Sequence, residues 1–206
     1  MLKIKSIISG QFEVNCYLVY DDVTKSAVII DPGQDGSSVI ETISNLKLNP
    51  ELLINTHGHF DHILSDDVIR TKYNIPLAIH KNDADFLSDV VKNASYVIGE
   101  TATVKVPEII FDKEQTYQTS FCKYSVLNTP GHTPGSVCIL IDNNLFSGDT
   151  LFAGSVGRTD FPGSNSTAMQ QSLQKLKLLD EKIKVYPGHG PFTDMKKELS
   201  SNFYLR

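Results

Sequence analysis

Tryptophan is absent from this chain, and cysteine and methionine occur three times each. Cys16, Cys122 and Cys138 are odd in number, far apart, and form no C-x-x-C pair. This excludes a disulfide framework and a cysteine-built zinc site, and it predicts reduced, mostly buried thiols. Long apolar runs are missing too. None approaches the roughly 18 residues a membrane span needs, and the opening stretch MLKIKSIISG is too short and too broken by lysine for a signal-peptide core. The cytoplasm is therefore the expected location, with no membrane partner. Positive charge is in deficit, with a net charge of −5. No phosphate-binding surface is advertised, so nucleic acid is not an expected partner. There is no Pro- or Ser-rich linker, low-complexity tract or charge block, and the expectation is one domain over residues 1–206.

What is present is ordinary for a soluble globular protein: 206 residues, 40% hydrophobic and 21% charged, enough for a sizeable core. The first third reads as β-rich. Strands are expected at Cys16–Tyr20 and Ser26–Ile30, the second stopping at the turn signal Asp31-Pro32-Gly33. Val39–Leu46 has helical spacing. Leu52–Ile54 reads as a buried strand, followed by a helix carrying Ile63, Leu64, Val68 and Ile69. Further strands are expected at Leu77–Ile79, Tyr124–Leu127, Val137–Ile141, Leu145–Ser147 and Lys184–Tyr186. Helices are expected at Asp83–Val91 and at Thr167–Leu179, the latter capped by Asn165 or Ser166. Ile54-Asn55-Thr56 and Leu127-Asn128-Thr129 look alike, a faint hint of duplication.

The chemistry-bearing residues fall just past strand ends, where a rigid sheet presents loops along one edge. His57-x-His59-x-Asp61-His62 puts four potential ligands into six positions. On an extended segment, residues two apart point the same way, so His57 and His59 can grip one ion, while Asp61 and His62 can swing toward a second. Chance clustering is a poor rival reading. Of six histidines, three sit in this motif, and His132 and His189 sit in Gly-flanked turns. A mixed imidazole and carboxylate set suits zinc, iron or manganese better than calcium or magnesium. Asp149, after Ser147-Gly148, is expected to join the donors, with two oxygens able to bridge two ions. His80 lacks a partner in sequence and reads as structural. Asp31 reads as structural or as the group that orients a ligand histidine.

His57-Gly-His59-Phe-Asp61-His62 followed by His132, Asp149 and His189 resembles the metallo-β-lactamase superfamily, in order and spacing, from about Asp31 to His189. The resemblance implies an α/β (α+β) fold, the four-layer αββα sandwich, with the site at one edge. It implies two divalent metal ions, with zinc the first choice and iron or manganese the alternatives. One is held by His57, His59 and His132, the other by Asp61, His62 and His189, and Asp149 bridges them; Asp61 and Asp149 are the carboxylates given a catalytic part.

The branch can be narrowed. Common dizinc β-lactamases carry Cys near the Asp149 position, which disfavours β-lactam hydrolysis as the main activity, and flavodiiron members carry Glu where His59 stands. The stretch Gly148-Asp-Thr-Leu-Phe-Ala-Gly-Ser-Val-Gly-Arg-Thr-Asp-Phe-Pro-Gly163 resembles the glyoxalase II and persulfide dioxygenase branch, and Tyr186-Pro-Gly-His-Gly-Pro-Phe192 resembles short bacterial glyoxalase II-like proteins. Two departures stand out. Gly58 replaces a third His of many glyoxalase II enzymes, and the chain ends at Arg206, before the helical domain that holds much of the glutathione.

The implied reaction is hydrolysis of a thioester, S-lactoylglutathione or a related acyl thioester, by a water that the metals make acidic. A thiol with pKa near 8.5 leaves without a strong general acid. Arg158 is the candidate for a substrate carboxylate, with a salt bridge in its own Gly-rich loop as the plainer role. The alternatives are a mononuclear iron persulfide dioxygenase using His57, His132 and Asp149, and a phosphodiesterase of the same superfamily. A non-catalytic metal module is disfavoured, since structural zinc sites are closed and four-coordinate. A homo-oligomer is compatible with all of these.

Overall fold

The computed structural model describes residues 1–99 and 101–206. Two six-stranded sheets carry the chain. The first joins, in spatial order, β1 (Leu2–Ser9), β2 (Val14–Asp21), β3 (Ser26–Ile30), β4 (Asn49–Ile54), β5 (Leu77–His80) and β6 (Ile109–Phe111). Its first three strands run antiparallel and the pairs from β3 to β6 run parallel. The second sheet holds β7 (Gln115–Gln118), β8 (Lys123–Asn128), β9 (Val137–Ile141) and β10 (Asn144–Gly148), then β13 (Lys184–Pro187) beside β10 and β14 (Thr193–Asp194) beside β13 at the edge. A small hairpin, β11 (Leu151–Phe152) and β12 (Ser155–Val156), follows β10. The helices are α1 (Gly36–Leu46), α2 (Phe60–Ile63), α3 (Asp66–Tyr73), α4 (Ser166–Leu176) and α5 (Met195–Ser201).

The period-2 alternation of strands builds the layers. Tyr17 and Val19 of β2, Val28 and Ile30 of β3, and Leu52 and Ile54 of β4 face inward. They meet Val126, Val137, Ile139 and Phe146 of the second sheet in a central core. The alternate residues Cys16, Leu18, Ala27, Ile29 and Leu53 face outward and are covered by Val39 and Ile43 of α1 and Ile69 of α3. On the far side, Cys138, Leu145 and Val185 are covered by Met169, Leu173 and Leu176 of α4 and by Met195 of α5. Three stacked apolar layers give the order helix, sheet, sheet, helix, the αββα sandwich that the sequence implies. All three cysteines are free, two of them buried. Among the described residues no helix is long and apolar enough to cross a membrane.

Most expected strands extend by a residue or two at either end, and Asn165 caps α4 through a bond from Ala168 N. The helix expected over Asp83–Val91 is not formed. That stretch makes short 3-10 turns at Lys81–Asp83 and Phe86–Ser88. Asp89 Oδ1 accepts from Val91 N and Lys92 N at 2.9 and 3.2 Å. A side chain that binds its own backbone in this way competes with a helix. Phe86 and Leu87 are buried by the turns instead. The single helix expected after the first motif is two, broken at Leu64-Ser65.

Candidate metal centre

The strand ends of both sheets point their loops at one edge. β4 delivers His57 and His59, α2 carries Asp61 and His62, β8 leads to His132, β10 to Asp149 and β13 to His189. The structure brings all seven together. Donor atoms of His57, His59 and His132 lie within 4.8 Å of one another, as do those of Asp61, His62 and His189. Asp149 stands between the two groups. Its Oδ1 is 3.6 Å from His62 Nε2, and its Oδ2 is 3.5 Å from His132 Nε2 and 3.6 Å from His189 Nε2.

The ring nitrogens are aimed by their surroundings. His132 Nδ1 is 2.8 Å from Arg158 O and His189 Nδ1 is 3.0 Å from Phe12 O. A carbonyl can only accept, so both Nδ1 atoms carry the proton and both Nε2 lone pairs face the cluster. His57 Nε2 is buried without a partner. His59 Nδ1 and His132 Nε2 are 2.8 Å apart, and His62 Nε2 and His189 Nε2 are 3.3 Å apart. Nitrogens bound to one ion at about 2.0–2.1 Å lie roughly 2.9–3.4 Å apart. The orphaned lone pairs and these spacings fit a metal in each group.

Electrostatics agrees. Burial pushes His57 and His59 well below the ordinary imidazole range, and the neighbouring rings His62 and His132 add to it. Neutral rings are what a cation requires. Burial also opposes charge on His62, yet Asp61, Asp149 and Asp31 outweigh it and push that ring up to about 10. Burial would raise Asp61, but His62 and His189 hold it well below the usual carboxylate range. The carboxylates around His62 favour positive charge at this position, which a cation held by Asp61, His62 and His189 would supply.

Asp31 is 3.1 Å from His62 Nδ1 through Oδ2. It also accepts from Thr56 N at 2.8 Å and from Thr56 Oγ1 at 2.6 Å. With both oxygens engaged, it serves as an orienting group for His62 and the first motif. His80 is buried as the cap of a turn, its Nδ1 accepting from Asn82 N at 3.2 Å. Arg158 lines the mouth of the site, with its guanidinium bonded to Asp160 at 2.6 and 2.8 Å. Gly58, the departure in the first motif, has a packing reason. A Cβ there would stand 2.5 Å from Phe86 Cβ, so a histidine would have to displace Phe86.

Sequence reading missed the supports of the site. Asp83 accepts from Gly58 N, Thr133 Oγ1 and Gly135 N at 2.9, 2.6 and 2.6 Å, which ties the first motif to the His132 loop. Asn15 Nδ2 donates to Pro187 O and Gly190 O, and Tyr17 Oη donates to Pro187 O, which holds the His189 loop. A lone Asp or Asn carries no spacing signal that marks such a role. A Cβ at Gly188 would lie 2.2 Å from Asp149 Oδ1, so only glycine lets this loop approach Asp149 so closely.

The chain is similar to known proteins. The family description of the metallo-beta-lactamase superfamily matches residues 9–189. The chain is 34% identical to the probable metallo-hydrolase YqgX of Bacillus subtilis (strain 168), over 95% of this chain and 94% of that one. It is 32% identical to the hydroxyacylglutathione hydrolase GloC of Haemophilus influenzae, over 99% and 98%. Among solved structures it resembles BLEG-1 B3 metallo-beta-lactamase, with TM-score 0.95, 36% identity and coverage of 98% and 99%. It also resembles TTHA1623 in a di-iron-bound form, with TM-score 0.85, 32% identity and coverage of 98% and 100%. ETHE1 from Myxococcus xanthus aligns at TM-score 0.82 and 25% identity, over 98% and 83%. With the family match, these relatives and the layered fold in agreement, this chain belongs to the metallo-β-lactamase superfamily.

Proposed function

We propose that this metallo-hydrolase cleaves a thioester, S-lactoylglutathione or a related acyl thioester. The observation that carries the reading is Asp149, whose two oxygens lie between the His57, His59, His132 group and the Asp61, His62, His189 group. His57, His59 and His132 would hold one divalent ion and Asp61, His62 and His189 the other, with Asp149 shared. Zinc is the first choice; iron is the alternative that the di-iron relative favours, and manganese suits the same donors. Bound there, a metal pair supplies an acidified water and a Lewis acid for a carbonyl oxygen.

The chain's own residues do the rest. Arg158 O and Phe12 O lock two tautomers, and Asp31 orients His62. Among the described residues lining the pocket, no carboxylic acid or histidine stands outside the donor set. A site without a spare general acid suits a leaving group that needs no proton, and a thiolate is one. The likeness to hydroxyacylglutathione hydrolase GloC supports the same class. Three free thiols accord with a reducing, cytoplasmic setting.

The test pairs elemental analysis of protein purified without added metal with hydrolysis of S-lactoylglutathione and a simple acyl thioester. Thioester turnover that tracks metal content is the expected result. Oxygen uptake with glutathione persulfide and no thioester turnover would transfer the site to the dioxygenase reading. Turnover of a chromogenic β-lactam alone would give it to the reading that the BLEG-1 likeness favours.

A further inference from the structure

The walls above the donor cluster are mostly apolar, with Ser155 and Arg158 the polar side chains outside the donor set among the described residues. Phe161 stands edge-on to His59 with ring centres 5.3 Å apart, and Phe152 stands edge-on to His189 at 6.2 Å. Phe12 and Phe60 form another edge-to-face pair at 5.0 Å. Val97 and Val156 complete the rim. The cavity measures about 680 Å³, a volume that takes a small organic ligand. The rings touch the donor imidazoles themselves, so the substituents next to a reacting carbonyl meet hydrocarbon at once.

Charge decides what such a wall excludes. Apart from the imidazoles, Arg158 is the one cationic side chain among the described residues lining the pocket. Its guanidinium gives two bonds to Asp160 and lies 4.1 Å from the centre of the Phe161 ring. Both partners are exposed, so the pair contributes little stability. Its consequence is electrostatic: the two opposite charges largely cancel at longer range, so the Arg158 guanidinium adds little attraction for an anionic substrate group beyond that of the metals themselves. A glutathione tail brings two carboxylates and one ammonium to that mouth, a net negative charge. A lactoyl group brings a hydroxyl that would give up water for phenyl rings, a cost when no hydrogen bond replaces it.

We infer that the site selects thioesters of an apolar acyl group on an uncharged thiol arm over S-lactoylglutathione. This rests on the thioester reading above and names the substrate class within it. Each acyl CH2 buried against the wall contributes about a fourfold gain in binding. That gain reaches the transition state when the same contact holds the carbonyl in place.

The experiment measures kcat/KM for acetyl, butyryl and hexanoyl thioesters of N-acetylcysteamine beside S-lactoylglutathione, using metal-loaded protein. The expected result is a rise of roughly threefold or more per added CH2, with the hexanoyl substrate at least about tenfold better than S-lactoylglutathione. A smaller ratio, with turnover present, overturns the selectivity and leaves the thioester reading standing. Turnover of none of the four overturns both. A variant tests the charge argument separately. Asp160→Ala lies on the exposed rim and leaves Arg158 uncompensated. It is expected to raise the preference for a glutathione thioester over the N-acetylcysteamine thioester of the same acyl group about threefold or more. No rise overturns the claim that the Arg158–Asp160 pair keeps anionic thiols out.

Discussion

His132 donates its Nδ1 proton to the backbone carbonyl of Arg158, 2.8 Å away. The residue that the sequence marks as a substrate-binding cation thus serves the metal centre through its main chain. Removing the side chain should leave that bond in place. Arg158→Ala is expected to retain its full metal content, measured by elemental analysis after gel filtration. Loss of metal from this variant would show that the guanidinium, rather than the carbonyl, supports His132.

Asp149→Asn should keep the fold and lose activity by roughly two orders of magnitude or more. The amide preserves shape but gives up the charge that offsets two cations, and only one of its two terminal atoms, the oxygen, can offer a lone pair to a cation. Circular dichroism checks the fold and thioester hydrolysis checks the rate. Near wild-type turnover with both metals retained would remove Asp149 from the bridging position.

His189→Ala should divide the two metals. His189 Nε2 is 3.4 Å from Asp61 Oδ2 and 3.3 Å from His62 Nε2, on one side of the cluster. The His57, His59, His132 group does not include it. A metal titration of the variant is expected to keep one tight site and weaken the other about tenfold or more. Equal weakening of both would contradict that division.

Asp83 should leave a pH signature in stability. Burial pushes its carboxyl up to about 6, against the bonds from Thr133, Gly58 and Gly135 that favour the charged form. The folded pKa lies above an unfolded value near 3.9. Its contribution is therefore full below about pH 4 and is lost as pH rises through about 6. Between pH 5 and 7.5 the stability difference between wild type and Asp83→Asn should change by about 1 kcal/mol, in the direction that wild type loses more. Urea unfolding at the two pH values measures this, and a pH-independent difference would place the folded pKa near the unfolded one.

Identity and order of the donors could be read in the chain because they depend on short-range geometry. His57-x-His59-x-Asp61-His62 is six residues, and the covalent spacing of an extended segment already aims two imidazoles together. The short apolar runs in Ser26–Ile30 and Val137–Ile141 likewise mark strands buried on both faces, and both strands appear with the expected bounds. The run Asp83–Val91 misled for a local reason: its apolar spacing suits a helix, but the carboxylates of Asp83 and Asp89 find better partners in backbone N–H groups and a threonine hydroxyl.

What the tertiary structure alone decided is every relation across the chain. Asp149 facing both donor groups, Asp83 joining Gly58 to Thr133, and Phe12 O receiving the His189 proton each join residues that no spacing rule connects. The apolar walls are the plainest case. Phe12, Phe60, Val97, Phe152 and Phe161 are scattered hydrophobic residues in the sequence, where a core position and a substrate wall look the same. They become one surface only when two sheets stack and their strand ends turn the loops to a shared edge. Local chemistry thus determined that metals are bound, and the path of the backbone decided what stands beside them.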